Sequence, residues 1–275
     1  MLVIGDIAGQ CEALVKLEAQ LPKGSPILLL GDLNDRGWQS KEVIEWAIYN
    51  DVDNGGRVVT LDSNHGDLFV DWFRQKTDAG HVPRYDIDVF EMNGGRATLS
   101  SYGHNISRCF TDELLSNKTL IDHIKWLSSR PSHVINKVNG QRYLFTHAPF
   151  PSGNPHRSFS QFLLKGSGYT SWKQDFDSEL NHQWNRQEPN GFHNDMPNTI
   201  SVFGHNSGNG VKIFCEQYEN GVYVNNDSIE AIMDLNKGQV YGICLDTTRN
   251  KCLTALDLTN FRIYTEPYPT EARMY

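Results

Sequence analysis

The chain of 275 residues carries 39% hydrophobic side chains, enough for a sizeable core, and its 25 Lys and Arg against 33 Asp and Glu set its net charge at −8. That balance argues against a broad nucleic-acid-binding face and an anionic-membrane anchor, while leaving room for a locally positive pocket. Cys11, Cys109, Cys215, Cys244 and Cys252 are odd in number, scattered and nowhere spaced as a CxxC pair, which points to reduced core thiols over a disulfide framework or a thiolate zinc site.

Leu2, Val3 and Ile4 read as a short buried strand that breaks at Gly5-Asp6-Ile7-Ala8-Gly9. Leu14, Leu17 and Leu21 then recur at helical spacing, and "PILLLGD" gives a second strand running into "GDLNDRG". Val43, Ile44, Ala47 and Ile48 form a second helical face behind a cap expected at Ser40, before a third strand in "GRVVTLDSNHGD". Leu120, Ile124 and Leu127 form a third helical face, stopped before Pro131, and "QRYLFTHAPF" and "TISVFGHN" read as strands ending in His147 and His205.

Strand, helix, strand, helix, strand through the first third predicts parallel βαβ units, with polar residues gathering outside the carboxyl ends of the strands. After His205 the pattern changes to strands alone, "GVYVNND", "VYGICLDTT", "CLTALDL" and "FRIYTEPY", which predicts a second sheet. The stretch from Pro149 to Asn198 is rich in Gly, Pro, Ser, Asn and His, too long for an ordinary connection, and is expected to face substrate. No linker divides the chain, so residues 1–275 read as a single domain. No apolar run reaches the length of a membrane span, and Gly5-Asp6 comes too early for a signal-peptide core, so a soluble cytoplasmic protein is expected.

Each strand end carries chemistry: Asp6; then Asp32, Asp35 and Arg36; then Asn64 and His65; then His147 and His205. Taken singly, a Gly-Asp after a strand is an ordinary turn and a lone histidine is a surface or core residue. Their coincidence at five successive strand ends is what carries weight. Carboxylates, an amide and imidazoles are the oxygen and nitrogen ligands that suit Mn²⁺, Fe or Zn²⁺.

"GDIAG", "GDLNDRG", "SNHGD", "FTHA" and "FGHN" resemble, in order and spacing, the GDxHG, GDxxDRG, GNHE, HA and GH blocks of calcineurin-like metallophosphoesterases, specifically the PPP-type phosphatases. "NGGRATLSSYG", "QWNRQ" and "ICLDTTRNKCLTALDL" look like further segments of bacterial and phage enzymes of that type, so the likeness covers nearly the whole chain. The resemblance implies a four-layer α/β/β/α sandwich and two divalent metals, Mn²⁺ foremost. Asp6 and Asp32 would hold the first, and Asp32 would bridge to a second held by Asn64, His147 and His205. Arg36 and Arg186 would bind phosphate oxygens, with Asn64 also facing the substrate; for Arg186, whose block is short, a solvated loop charge is the plain alternative. His65 would protonate the leaving oxygen, oriented by Asp35, in an in-line attack by metal-bound hydroxide.

Protein phosphoserine or phosphothreonine is the leading substrate class implied. The alternatives are a nucleotide phosphohydrolase acting on dinucleoside polyphosphates, RNA ends or cyclic nucleotides, and a catalytically silent phosphate-binding protein. The sequence also departs from the pattern. Ser63 replaces a glycine, Gly66-Asp67 follow where a single acidic residue is usual, and Asn206 stands where threonine is commoner. Ala8 stands where the family has a histidine ligand, so the first metal is expected to bind weakly and turnover to be low. An engineered replacement and natural divergence both account for that single loss; with every other position intact, replacement is the favoured account.

Overall fold

The computed structural model describes residues 1–104, 112–150, 184–186, 189, 196–216, 218–226, 229, 233 and 240–269; Cys109 and most of the 149–198 stretch lie outside them. In chain order, β1 (Leu2–Ile4), α1 (Cys11–Gln20), β2 (Ile27–Leu29), α2 (Ser40–Tyr49) and β3 (Val58–Thr60) form the expected βαβαβ run. Helices α3 (Asn64–Thr77), α4 (Ile87–Phe90), α5 (Arg96–Ser101), α6 (Asp112–Leu115) and α7 (Lys118–Ser128) follow. The strands β4 (His133–Val138), β5 (Gln141–Thr146), β6 (Thr199–Phe203), β7 (Val211–Cys215), β8 (Tyr218–Val224), β9 (Val240–Cys244), β10 (Cys252–Asp257) and β11 (Arg262–Pro267) complete the set.

Two sheets form, in the orders β11-β10-β1-β2-β3 and β4-β5-β6-β9-β7-β8. The grouping differs from the chain-order expectation. The "CLTALDL" and "FRIYTEPY" strands do not join the second sheet but return to the first, where β10 lies antiparallel beside β1 with Leu2 opposite Asp257 and Ile4 opposite Ala255. This hairpin pairs the side of β1 that its parallel partner β2 leaves open. The "FTHA" and "FGHN" strands, β5 and β6, run parallel to each other in the second sheet.

Alternation along β1 shows how the layers divide. Leu2 and Ile4 pack with Leu14, Leu17, Val43 and Ile44 of the helices, whereas Val3, between them, packs with Phe145, Val202, Ile213 and Ile243 of the second sheet. On the far face of the second sheet, Leu144, Phe203, Phe214 and Tyr241 make a third buried cluster with Phe150 and Met196. The result is a mixed α/β sandwich of two sheets and helices, and each fully buried Leu or Phe side chain contributes about 1.5–3 kcal/mol to holding it. Among the described residues no helix is long and apolar enough to cross a membrane, and Cys11, Cys215, Cys244 and Cys252 form no disulfide with one another.

Two local assignments change the reading of the sequence. Ser40 starts α2 but does not cap it; its hydroxyl turns back to accept from the Asp35 amide at 3.1 Å, bracing the loop after β2. Ser63 is the residue that caps, accepting from the Gly66 amide at 3.2 Å to start α3, which gives the departure from glycine a physical role.

His123 of α7 is buried, and its Nδ1 lies 2.6 Å from the Tyr102 hydroxyl. Burial, helped by the charge of Lys41, lowers its pKa to about 4 against the partial opposition of Asp122. The unfolded chain binds this proton below about pH 6.5, whereas the native state binds it only below about 4. Stability from this group is therefore intact at neutral pH and is lost as pH falls between those values, up to roughly 3 kcal/mol. His123→Gln is expected to flatten the fall in Tm between neutral pH and pH 5; an unchanged slope would count against it.

Candidate active site

The loops after β1, β2, β3, β5 and β6 meet at one edge. The first two are bonded together through the amides of Ile7 and Ala8 to the Asp32 carbonyl, at 3.0 and 2.8 Å, and of Gly37 to the Ala8 carbonyl at 3.0 Å. Ala8, Asp32, Asp35, Arg36 and His205 all adopt positive φ, from 44° to 72°, so five of the nine non-glycine residues in this conformation among the described residues stand at this edge. Left-handed backbone costs such residues energy, and its concentration here marks a surface built to aim side chains. At Gly204 a Cβ would collide with Asp6 Oδ1, so a side chain there is excluded.

Asp32, His147 and His205 converge, each offering a ligand atom within 4.8 Å of the others, and all are at most 4% exposed. His147 donates from Nδ1 to the Leu30 carbonyl at 2.9 Å. Burial holds its ring neutral. Its Nε2 lies 2.7 Å from Asn64 Oδ1 and 3.4 Å from Asp32 Oδ1, so three ligand atoms gather at one point. His205 Nδ1 approaches the same Asn64 oxygen at 3.2 Å, and its Nε2 is buried without a partner among the described residues. Burial, then His147, lowers the His205 pKa to about 3, with Arg186 adding to the effect. Burial also opposes the charge on Asp32, but the surrounding His147, His65, His205 and Arg36 outweigh it and bring its pKa below the ordinary carboxylate value. One carboxylate, one amide oxygen and two neutral imidazoles pointing inward make a donor set that fits a divalent cation.

Beside this cluster, His65 Nδ1 lies 2.6 Å from Asp35 Oδ2, and Arg36 Nη2 lies 3.2 Å from Nε2. The two neighbours fix the ring from both ends. Burial disfavours the imidazolium, but the carboxylates of Asp32 and Asp35 prevail and raise the His65 pKa above its ordinary value. The backbone helps as well: the His65 amide, in the first turn of α3, faces Asp32 Oδ1 at 3.4 Å, and Asn34 donates to the His65 carbonyl at 3.1 Å.

Thr98 is a site residue that the strand-end reading missed. Its hydroxyl donates to Asp35 Oδ1 at 2.6 Å and accepts from the Asp35 amide at 2.9 Å, so it holds the carboxylate that holds His65. It belongs to "NGGRATLSSYG", whose Gly94 has φ 104° and would place a Cβ 2.5 Å from the Arg36 amide nitrogen. The only sequence signal was that block itself. Phe90 locks the preceding helix onto α3, its ring 5.3 Å from Phe69 and 5.4 Å from Trp72. Thr98→Val is expected to lower kcat about tenfold with little change in KM, measured with Ala8→His also in place.

Asp6 stands apart from the converging trio. Both its oxygens accept from the His205 amide, at 3.1 and 3.3 Å. Burial, then the negative charges of Asp246 and Asp32, push its pKa well above the carboxylate range against the pull of that amide and Arg36. Ala8, next but one, offers a methyl group. Asp246, from "LDTT", was not singled out in the sequence; it accepts from Ser207 at 2.9 Å and from the Thr248 hydroxyl at 2.7 Å, securing the turn that follows His205. Arg186 is an exposed residue near His205, and Asn206 Nδ2 lies 3.5 Å from its carbonyl, so the departure from threonine gives that position an amide to offer.

An inward-facing oxygen and nitrogen donor set beside a carboxylate-held imidazole and an arginine defines a metal-dependent hydrolase site. The sequence model of the calcineurin-like phosphoesterases matches residues 1–240, and the chain belongs to that family. Among curated protein sequences none matches it. Of solved structures, a protein serine/threonine phosphatase from Saccharomyces cerevisiae is 15% identical with a TM-score of 0.50, over 100% of this chain and 82% of the other. A cold-active protein-tyrosine phosphatase of a psychrophilic Shewanella is 17% identical with a TM-score of 0.49, over 99% and 80%. A metallophosphoesterase from Sphaerobacter thermophilus is 12% identical with a TM-score of 0.48, over 97% and 87%. The likeness to the yeast phosphatase is one of fold.

Proposed function

We propose that this chain hydrolyses phosphate monoesters, with phosphoserine and phosphothreonine of a partner protein as the leading substrates, and that Ala8 holds its turnover low. The observation that carries this reading is the 2.6 Å contact between His65 and Asp35 set beside the Asp32, His147 and His205 cluster. Asp32, Asn64, His147 and His205 would hold one divalent ion, and Asp6 with Asp32 a second, Mn²⁺ foremost and Fe or Zn²⁺ otherwise. When bound, such ions polarise phosphoryl oxygens and lower the pKa of water.

The chain's own groups do the rest. Arg36 and Arg186 bind phosphate oxygens, for which a planar, permanently charged fork is suited. In the structure Arg36 donates toward His65 Nε2; an arriving phosphate takes over that donor and leaves Nε2 free to carry a proton. Asp35 keeps Nδ1–H aimed and favours the imidazolium. His65 then delivers its Nε2 proton to the departing oxygen, which matters most for a serine or threonine alkoxide, a poor leaving group.

The test is Ala8→His with Mn²⁺ against phosphoserine peptides, diadenosine tetraphosphate and 2′,3′-cyclic nucleotides. The phosphopeptide is expected to show the highest kcat/KM. Preference for the dinucleotide or the cyclic nucleotides would instead make this a nucleotide phosphohydrolase, and hydrolysis of none, nor of an aryl phosphate, would leave a silent phosphate-binding protein.

A further inference from the structure

The first turn of α3 carries Asn64 and His65, and the next turns direct Asp67, Asp71 and Gln75, spaced four apart on one face, toward residues 81–85. Asp67 accepts from Arg84 Nη1 at 3.0 Å, and Asp71 lies 2.7 Å from His81 Nε2. Asp71 Oδ2 also accepts from the Arg84 and Tyr85 amides, each at 3.2 Å, and Gln75 donates to the Tyr85 carbonyl at 2.9 Å. Asp67 and Asp71 are each 1% exposed. Burying two carboxylates is costly unless their partners are fixed, so this arrangement holds the backbone at Tyr85 in one place.

Tyr85 passes that placement on. Its hydroxyl accepts from Trp184 Nε1 at 3.0 Å, with ring centroids 6.0 Å apart. Trp184 in turn stands edge-on to His205, centroids 6.2 Å apart at 86°. Arg186 lies two residues further on, with Asn185 between them donating to the Pro149 carbonyl at 2.8 Å. We propose that Tyr85 is a positioning residue for Arg186, acting through Trp184, so that α3 sets the relative placement of Asn64, His65 and the phosphate-binding guanidinium. This inference rests on the phosphate-binding role proposed above for Arg186.

The experiment is calorimetric titration of the whole chain with inorganic phosphate in excess Mn²⁺. Tyr85→Phe keeps the ring and removes the acceptor, and is expected to weaken phosphate binding about fivefold with Tm and Mn²⁺ affinity unchanged. Trp184→Phe removes the donor and should show a similar loss. Arg186→Ala should weaken binding about tenfold or more, and adding Tyr85→Phe to it should cost nothing further, a non-additivity that a general packing defect would not produce. Full affinity in Tyr85→Phe, or an additive loss in the double variant, overturns the positioning role while leaving Arg186 as a phosphate ligand. Unchanged affinity in Arg186→Ala removes the ligand role itself, and the positioning role with it.

Discussion

Ala8→His is expected to raise kcat toward an aryl phosphate on the order of a hundredfold or more in Mn²⁺, with a matching gain in metal affinity. Ala8 has φ 50°, held there by its amide to the Asp32 carbonyl at 2.8 Å and by its carbonyl from the Gly37 amide at 3.0 Å. Alanine gains nothing from a left-handed conformation, whereas histidine is among the residues enriched in it. A histidine placed at position 8 would therefore meet a backbone conformation that it adopts more readily than alanine does. Asp6, two residues earlier, is buried next to the negative charges of Asp246 and Asp32, a setting that disfavours its ionised form and that a cation held beside it would offset. Steady-state kinetics across a Mn²⁺ titration check the prediction. A variant that binds the metal and gains no rate would show that position 8 does not limit turnover.

His65→Gln, made in the Ala8→His protein, is expected to lower kcat on the order of 10²- to 10⁴-fold for a phosphoserine peptide. The same change should cost far less with a nitrophenyl phosphate, whose leaving group departs without a proton. This difference separates proton donation from a merely structural role. His65 has the required placement, with Asp35 2.6 Å from Nδ1 and Thr98 2.6 Å from the other Asp35 oxygen. Glutamine keeps polarity at the position but cannot deliver a proton. Equal losses with both substrates would remove His65 from the acid role.

The strand-end residues were legible in the sequence because short apolar runs stop where chain direction must reverse, and Asp6, Asp32, His65, His147 and His205 each follow such a stop. Sheet membership of the last hairpin was not legible: nothing local in "CLTALDL" distinguishes pairing with β1 from pairing with β9. Helix α3 was hidden for a different reason. Residues 64–73 are buried throughout, and the face carrying Asp67 and Asp71 turns onto residues 81–85 instead of solvent, so no apolar-in, polar-out period marks the helix. Thr98 is 63 residues from Asp35, and only the three-dimensional structure joins them. Ser40 does not cap α2, as a serine before an apolar helix ordinarily does, because here the Asp35 amide competes for its hydroxyl.

Under the proposed function, the Asp32, His147 and His205 cluster holds one ion and Ala8 leaves a second position deficient. Mn²⁺ stoichiometry, read by equilibrium dialysis with elemental analysis, tests it most directly. One tightly bound ion per chain is predicted, lost in His147→Ala, with two per chain in Ala8→His. Two tightly bound ions in the chain as it stands, or none that His147→Ala removes, would contradict it.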